Sequence, residues 1–530
     1  MIRVNNIKAN LDIDLAGLKE IVSMKTGLDP EYIKNISIAK KSVDARNKTN
    51  VCFVYSLDME VKGDEAYILS ILAWKDCELV TEETPLPLTP RNTSKNRPII
   101  VGTGPAGMFA GLALAEMGLK PILLERGKAV FERQQDIKTF WQTGNLNINS
   151  NVQFGEGGAG TFSDGKLMTG IKKTPLMRKV LHELAEAGAP EEILYLAKPH
   201  IGTDKLVKVV ENIRKKIISL GGEYRFEHQV IDLIIKKEKI QALKVQKADG
   251  KTEEITADWV ILALGHSARD TFQMLYDRGL QIEQKAFSIG ARIEHRQDMI
   301  NQSQYGRYAA HPALGAADYK LAVHYPDGRS AYTFCMCPGG QVVAAASEKN
   351  RVVTNGMSEF ARDKENANAA LLVGVTPQDF GGNHPLQGMY FQQQLESKAF
   401  ELGEGNYHAP AQLVGDFLRS RPSKKLGETT PSYTPGVTLT DLGLLFPEYV
   451  TATLAKAIVD MDKKLHGFAS DEAVLTGIET RSSSPIRIYR DENFESNIKG
   501  IFPCGEGAGY AGGIVSSAVD GLKVCLKEQA

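Results

Sequence analysis

The fold is organised around the stretch Arg97-Pro-Ile-Ile-Val-Gly-Thr-Gly-Pro-Ala-Gly-Met-Phe-Ala-Gly111. Its apolar run predicts a short buried strand, and a helical pattern begins directly after the glycines. Gly102 permits the tight turn between them, Gly104 lets the backbone approach a pyrophosphate, and Gly107 lets the helix pack close to the strand. The stretch therefore predicts a dinucleotide-binding turn.

The first helical residues and the next strand complete this unit. Pro105 and Ala106 open the helix, whose positive end would face the phosphates. A second apolar run ends in Glu125, about 20 residues after the first glycine, where an acidic side chain can bind the ribose hydroxyls of an adenosine. Arg126 follows it and belongs to the predicted site. The unit is a complete βαβ fingerprint, but by itself it does not distinguish FAD from NAD.

A second glycine cluster follows in Phe154-Gly-Glu-Gly-Gly-Ala-Gly-Thr-Phe-Ser-Asp-Gly-Lys166. So many glycines cost backbone entropy and are tolerated where the backbone approaches another group closely. We expect a loop that wraps the pyrophosphate or the flavin ring, with Gly158, Ser163 and Lys166 in contact. The alternative is a flexible connection.

The middle of the chain begins to favour FAD. Strands over 224–235, 240–247 and 252–255 predict a β-meander, and we assign Val230 in its first strand to the cofactor site. A fully apolar strand follows and closes on Gly265. This order resembles the FAD domains of the glutathione-reductase type.

The last segment carries a third glycine cluster, CGEGAGYAGGIVSSAVDG from Cys504. A strand stops at Gly505 and Glu506, and a helix begins at Gly513 and Ile514. Reduced flavin carries negative charge, which a helix N-terminus stabilises through free N–H groups and its dipole. The segment resembles the closing motif of FAD domains, and the resemblance implies that Glu506 binds the ribityl hydroxyls.

Together with TRSSSPIRI from Thr480, these motifs resemble the bacterial FAD-dependent dehydrogenases, NAD(P)/FAD-dependent oxidoreductases that are described by their cofactor. The resemblance covers nearly the whole chain. It implies bound FAD and flavin redox chemistry, and it leaves the substrate open.

The predicted fold class is α/β: a Rossmann-like FAD-binding domain with an inserted mixed α/β substrate domain and a small N-terminal α+β module of ferredoxin-like type. The module would span residues 1–84, and a proline-rich linker residues 85–96. The FAD-binding domain would span residues 97–278 and close with residues 481–530, around a substrate domain at 279–480. Within the substrate domain, apolar spacing predicts helices at 389–402, 409–418 and 450–465.

Composition and charge narrow the choice of partners. The chain has 63 basic and 64 acidic residues, so no global field attracts nucleic acid or an anionic membrane. The first residues lack the apolar core of a signal peptide, and no run reaches the ~18 apolar residues of a membrane span. We therefore expect a cytoplasmic protein with a small-molecule substrate, reduced cysteines and no metal site. No pattern indicates an oligomeric state.

The absence of two motifs restricts the class of reaction that we expect. No second glycine fingerprint follows a strand, so no dedicated NAD(P)H domain is predicted, and no CxxC pair lies beside the first fingerprint. We therefore do not expect a disulfide reductase. Either an organic substrate donates hydride directly, or NAD(P)H or a quinone visits the flavin transiently.

Four residues are candidates for catalysis. His266 and His295 lie at the ends of predicted strands, and histidine can take the proton that leaves while hydride goes to the flavin. Arg481 offers a bidentate fork to a substrate carboxylate. The thiol of Cys504 is expected near the flavin. The alternative for each is a structural role, such as a hydrogen-bonded histidine or a space-filling cysteine.

Two other functions remain open. The basic cluster from Lys34 to Lys48 could dock RNA, which would make the chain an RNA-associated flavoprotein, although a solvated loop edge is favoured. The third hypothesis is a redox sensor whose flavin state controls binding to a partner.

Overall fold

The computed structural model describes residues 1–81, 88–92, 94–170 and 174–527. Residues 85–87 and 93 of the predicted linker lie outside these ranges, as do residues 82–84 of the predicted module and 528–530 of the closing segment.

The N-terminal residues form an antiparallel sheet with two helices. Its elements are β1 (Ile2–Ala9), α1 (Leu15–Thr26), β2 (Ile33–Asp44), β3 (Cys52–Val61), α2 (Glu65–Ile71) and β4 (Cys77–Leu79). The strand order is β2-β3-β1-β4, and every neighbouring pair is antiparallel. β1 and β3 alternate buried and half-exposed residues, because one face of the sheet packs on a core of its own.

The edge strand β2 continues onto the rest of the protein. The N–H of Lys41 donates to Tyr195 O, and the N–H of Ala197 donates to Lys41 O, both at 2.9 Å. The Lys41 ammonium lies 4.0 Å from the centre of the Phe53 ring, and burial lowers its pKa. Arg46 is paired with Asp44 at 2.8 Å. Two cations of the cluster considered for RNA docking therefore already have partners.

The second part contains the predicted dinucleotide fold. Its elements are β5 (Ile99–Val101), α3 (Pro105–Glu116), β6 (Ile122–Leu124), α4 (Val130–Thr143), α5 (Pro175–Glu186), α6 (Thr203–Ser219), β7 (Glu223–Arg225), β8 (His228–Lys236), β9 (Lys239–Lys247), β10 (Thr252–Thr256), β11 (Val260–Leu262) and α7 (Arg269–Asp277). β8, β9 and β10 form the predicted meander as a sheet of their own.

The predicted strand over 224–235 is in fact two strands. Glu227 adopts a left-handed backbone with φ of 56° and separates β7 from β8. β7 joins the parallel sheet beside β6, whereas β8 begins the meander. The apolar pattern runs through both strands, so it gave no sign of the turn.

The third part contains a second, larger sheet. Its elements are β12 (Ile282–Gln284), β13 (Phe287–Arg296), α8 (Gln297–Tyr305), β14 (Ala322–His324), β15 (Ser330–Cys337), β16 (Gln341–Ala344), β17 (Thr354–Met357), β18 (Asn366–Val375), α9 (Pro377–Phe380), α10 (Gln387–Leu402), β19 (Ala409–Leu413), α11 (Val414–Leu418), β20 (Val437–Leu439), α12 (Glu448–Asp462) and β21 (Val474–Glu479). Seven strands have the order β14-β15-β18-β13-β21-β19-β20, and β16 pairs with β17 as a separate hairpin.

The first half of the helix predicted at 409–418 is the strand β19. It pairs with β20 on one side and β21 on the other, and its buried residues would lose both ladders in a helix. Long-range pairing therefore overrides the helical spacing of the apolar residues.

The chain returns to the parallel sheet at its end, with β22 (Ile486–Ile488), β23 (Ile501–Pro503) and α13 (Ile514–Cys525). The parallel sheet then has the order β23-β11-β5-β6-β7. α13 packs along α3, which is buried from Ala106 to Ala115 because α13 covers the side that the sheet leaves open. β22 pairs with β12, which joins the closing segment to the start of the third part.

The fold is α/β with a Rossmann-like parallel sheet, as predicted. Within the described ranges, no helix is both long and apolar enough to cross a lipid bilayer.

Candidate active site

A large cavity lies where the carboxyl ends of β5, β11 and β23 face the seven-stranded sheet. Ligands of open parallel sheets bind at this edge. Most of the predicted cofactor residues line it: Gly102, Gly104, Pro105, Ala106, Glu125, Arg126, Gly158, Ser163, Lys166, Val230, Gly265, Glu506, Gly513 and Ile514. The structure thus brings the three glycine clusters and the meander to one cavity.

Gly107 and Gly505 lie just beneath the cavity wall. A Cβ on Gly107 would sit 1.9 Å from the carbonyl oxygen of Gly102. A Cβ on Gly505, where φ is 77°, would sit 2.8 Å from the Cβ of Ala106. Both glycines permit close packing of a helix against a turn and are not on the cavity surface.

Two helices begin at the cavity without a side-chain cap. α3 starts after Gly104 and α13 starts after Gly513. Neither glycine has a side-chain oxygen that could accept from the free N–H groups of the first turn. Uncapped N-termini are anion sites, because they combine free donors with a positive dipole end. The two ends fit the two anionic parts of reduced FAD, namely the pyrophosphate and the flavin ring.

The carboxylate of Glu125 also accepts four hydrogen bonds from the protein itself. Its Oε2 accepts from the N–H and hydroxyl of Thr103 at 3.0 and 2.8 Å, and its Oε1 accepts from the N–H groups of Gly127 and Gly155, both at 3.0 Å. Four donors occupy the roughly four lone-pair sites of a carboxylate. A ribose hydroxyl must therefore share or replace one of these bonds, and Glu125 also joins the first two glycine turns.

Arg133 on α4 organises the second glycine cluster and was not among the predicted site residues. Its side chain is fully buried, and its N–H groups donate at 2.7–3.3 Å to the backbone oxygens of Asn151, Val152, Gly155, Glu156 and Gly158. Burial lowers its pKa to about 10, so it remains charged at neutral pH. No local motif marks this arginine, because its partners are backbone atoms some twenty residues away.

His266 and Glu506 meet at the cavity, which the sequence did not predict. Nδ1 of His266 lies 3.3 Å from Oε1 of Glu506, at an ion-pair distance. His266 is 9% exposed, and neither ring nitrogen makes a hydrogen bond with a described residue. A buried imidazole with a free Nε2 and a carboxylate beside Nδ1 is suited to hold or move a proton.

Glu479, at the end of β21, is a third titratable group on this wall. Its two carboxylate oxygens accept from Nε and Nη2 of Arg292 at 2.9 and 3.2 Å. Burial raises its pKa, although Arg292 and the nearby His266 act in the opposite direction. No local motif marks Glu479, because its partner Arg292 lies on another strand.

Arg481 lines the cavity but has no donor left for a substrate. Its five N–H groups donate to Glu396, Glu348, Ser267 and Ser347 at 2.6–3.4 Å. Glu396 is fully buried and also pairs with Arg269 at 2.7 Å. Burial opposes ionisation of Glu396, but the two arginines together lower its pKa. This geometry corrects the carboxylate-binding role expected of Arg481.

His295 and Cys504 do not line the cavity. Nε2 of His295 bonds to the backbone oxygen of Phe468 at 2.9 Å, and the ring lies within the sheet core at 1% exposure. Cys504 is fully buried among the residues between the parallel sheet and α13. Neither side chain can reach a substrate there, which corrects the catalytic roles expected of them.

The buried His295 predicts an acid-sensitive fold. Burial lowers its pKa to about 4, against roughly 6.5 in the unfolded chain. Because the pKa of His295 is lower in the folded protein, neutral His295 contributes fully to the free energy of unfolding above pH ~6.5. This contribution declines as the pH falls towards 4. We expect about 2 kcal/mol less stability at pH 5 than at pH 7.5 from this group.

The measurement is the free energy of unfolding in urea at both pH values for the wild type and for His295→Asn. The variant should lack this part of the pH dependence, whereas His182→Asn, at an exposed position on α5, should keep it. Equal slopes in wild type and His295→Asn would contradict the assignment.

The fold and the cavity define an FAD-dependent oxidoreductase. Two family comparisons agree: the family of the pyridine nucleotide-disulphide oxidoreductases matches residues 96–300, and the FAD-dependent protein C-terminal domain-like family matches residues 286–482. A domain of unknown function matches residues 1–60. FAD is the cofactor of the enzyme.

The chain belongs to a bacterial family of FAD-dependent oxidoreductases. A protein of Clostridium beijerinckii (strain ATCC 51743 / NCIMB 8052), described as uncharacterized, is 49% identical over 526 residues, which cover 99% of this chain and 97% of that protein. The glycerol-3-phosphate dehydrogenase from Bacillus halodurans complexed with FAD is 11% identical with a TM-score of 0.34, over 81% of this chain and 63% of that one. A flavoprotein/dehydrogenase from Cytophaga hutchinsonii is 12% identical with a TM-score of 0.34, over 80% and 75% of the two chains.

Proposed function

We propose that this enzyme oxidises or reduces a small organic molecule at the end of the cavity where His266, Glu479 and Lys166 meet the closing motif. The observation that carries the proposal is the convergence of these groups, from three separate parts of the chain, beside the N-terminus of α13. FAD would supply the site that accepts or gives the hydride equivalent. The side chains would bind the substrate and handle its proton.

We infer the cofactor contacts from the lining residues. The uncapped N-terminus of α3 would hold the pyrophosphate, Glu125 the ribose, and Arg126 with Val230 the adenine end. Gly158 and Ser163 would lie along the pyrophosphate and ribityl chain. Glu506 would approach the ribityl hydroxyls while it orients His266.

His266 is the proposed acid or base. Glu506 would hold Nδ1, which leaves Nε2 to take the proton from a CH–OH or CH–CH substrate, or to return it in the reverse direction. The closed position of the ring keeps bulk water from competing for that proton.

A carboxylate on the substrate would now be bound by Lys166 instead of Arg481. An ammonium group has three donors, and in the described residues two of them go to Met336 O and to Oδ2 of Asp164. The third is available at the cavity wall. On this assignment we propose that the substrate is a small molecule that carries a carboxylate.

We propose the domain boundaries 1–84 for the N-terminal module, 97–278 with 481–530 for the FAD-binding domain, and 279–480 for the substrate domain. The pairing of β12 with β22 supports a substrate domain that leaves and rejoins the FAD-binding domain near residues 279 and 481.

Anaerobic stopped-flow absorbance of the holoprotein tests the proposed function. NADH, NADPH and a panel of small hydroxy and amino acids are mixed separately with the oxidised enzyme, and the flavin band is followed. Rapid bleaching by a carboxylated metabolite, with slower bleaching in Lys166→Met, would support the proposal. Bleaching by NAD(P)H alone would make the nicotinamide the visiting donor, and bleaching only by uncharged compounds would exclude the carboxylated class.

Replacing His266 by asparagine is expected to slow flavin reduction by the active donor about 10²–10⁴-fold, because no group is left to take the proton. FAD content should stay near that of the wild type. The measurement is the single-turnover rate between pH 5 and 9, with His182→Asn as the matched control. A variant that keeps the wild-type rate and pH profile would exclude His266 as acid or base.

A further inference from the structure

Two cysteines of β15, Cys335 and Cys337, share the wall of the FAD cavity. They lie close to Lys166, which donates to Met336 O between them, and to Glu479, whose partner Arg292 donates to Cys335 O. The other four cysteines lie elsewhere: Cys52 and Cys77 in the N-terminal sheet, Cys504 and Cys525 in the core under the parallel sheet. These two are thus the cysteines that face the cofactor cavity in the described part of the chain.

The backbone around this pair departs from a regular strand. The register between β15 and β18 shifts between Phe334 and Cys337, so the segment forms a β-bulge. Cys335 adopts φ of 42°, in the left-handed region that is strained for a residue with a side chain. Bulges beside active sites redirect a side chain, and strained residues gather at functional sites.

Three hydrogen bonds keep the bulge in place. Nη1 of Arg292 donates to Cys335 O at 2.9 Å, and the Lys166 ammonium donates to Met336 O. The thiol of Cys337 donates to Cys335 O at 3.2 Å. The charged residues that hold the strained backbone also line or adjoin the proposed active site, so the bulge is part of that site.

The spacing allows a disulfide. Two residues apart along a strand, the Cα atoms are at most about 6.6 Å apart. Disulfides span Cα separations of about 4.4–6.8 Å. Both side chains line the same cavity. A disulfide also needs Cβ atoms about 3.5–4.5 Å apart, closer than a straight strand places them, and the bulge gives the segment the freedom to bring them together.

We propose that Cys335 and Cys337 form a redox pair that exchanges two electrons with the bound FAD. In the oxidising direction two S–H bonds break and one S–S bond forms. The two electrons and one proton reduce the oxidised flavin, and the second proton passes to solvent through the cavity. The proposal rests on bound FAD alone and does not depend on the proton role of His266 or on the substrate.

Both cysteines are free thiols in the structure, with Cys337 buried and Cys335 open to the cavity. The surrounding protein raises the pKa of both thiols. Because the thiolate is the reactive form, electron transfer from the pair should become faster as pH rises. This behaviour distinguishes the pair from a cysteine of low pKa that reacts at neutral pH.

Mass spectrometry of the holoprotein tests the pair directly. The protein is oxidised with diamide, desalted, and its FAD is reduced anaerobically by light with EDTA. Both samples are then denatured and alkylated with N-ethylmaleimide. We expect the 335–337 peptide to be two hydrogens lighter and unalkylated before light, and alkylated at both cysteines after light, whereas a sample kept dark stays oxidised.

Variants give an independent readout. Complete photoreduction of the oxidised wild type should need twice as many electrons as that of Cys335→Ser, whereas Cys77→Ser should match the wild type. Cys335→Gly, which suits the positive φ, serves if the serine variant does not fold. Free thiols at 335 and 337 after diamide, or a disulfide that survives full flavin reduction, would overturn the proposal and leave the proposed function untouched.

Discussion

Arg133→Met is expected to yield a protein that no longer retains FAD. The guanidinium donates to five backbone oxygens of the loop at 151–158, and methionine fills similar space with no donor. Each buried acceptor left without a donor costs about 1–3 kcal/mol. The loop would then give up the conformation that faces the pyrophosphate turn.

The measurement is the ratio of flavin to protein absorbance after purification, followed by titration of the apoprotein with FAD. Arg421→Met provides the control, because the Arg421 side chain is 62% exposed and forms an ion pair with Asp416 at the surface. An Arg133→Met protein that purifies with a full complement of FAD would show that the loop does not need this arginine.

Glu396→Gln is expected to lower the free energy of unfolding by about 3–5 kcal/mol, because breaking a buried charge pair from one side leaves the other charge uncompensated. Glu396 is fully buried on α10 and pairs with both Arg269 and Arg481, and Glu348 is the second carboxylate of this cluster. The glutamine keeps the shape and its Oε1 can still accept hydrogen bonds, but it leaves the carboxylate of Glu348 beside two guanidinium groups, so one positive charge is uncompensated.

Urea unfolding with excess FAD measures this loss, and Glu401→Gln is the matched control at an exposed position on the same helix. The cluster also holds Ser267 next to His266, through Nη1 of Arg481 at 3.0 Å. We therefore expect Glu396→Gln to slow flavin reduction as well. A decrease in the free energy of unfolding of less than ~1 kcal/mol would indicate that water enters the cluster and solvates the uncompensated arginine.

The glycine turns that line the cavity could be predicted from the sequence because their parts are local. Gly102, Gly104 and Gly107 are set by a turn and a close backbone approach within one βαβ unit, and those constraints leave a spacing that can be recognised. The two uncapped helix starts follow from the same glycine clusters. These features need no knowledge of distant residues.

The substrate end could not be predicted in this way, because its residues act through partners far along the chain. Arg481 offered a fork to a carboxylate until the structure showed Glu396, 85 residues away, occupying it. Glu479 is held at the cavity wall by Arg292, which lies on another strand. The segment at 409–413 is a strand because it pairs with β20 and β21. Such pairings depend on the three-dimensional packing and have no local signature.

The contact between α3 and α13 has a consequence for synthesis of the chain on the ribosome. α3 is apolar on every face and emerges early, whereas the helix that covers it begins at Ile514. At 5–20 residues per second, the interval between them amounts to roughly 20–80 s. During that time α3 stays uncovered while the seven-stranded sheet is made, so the nascent chain exposes an apolar surface that can aggregate unless it is shielded.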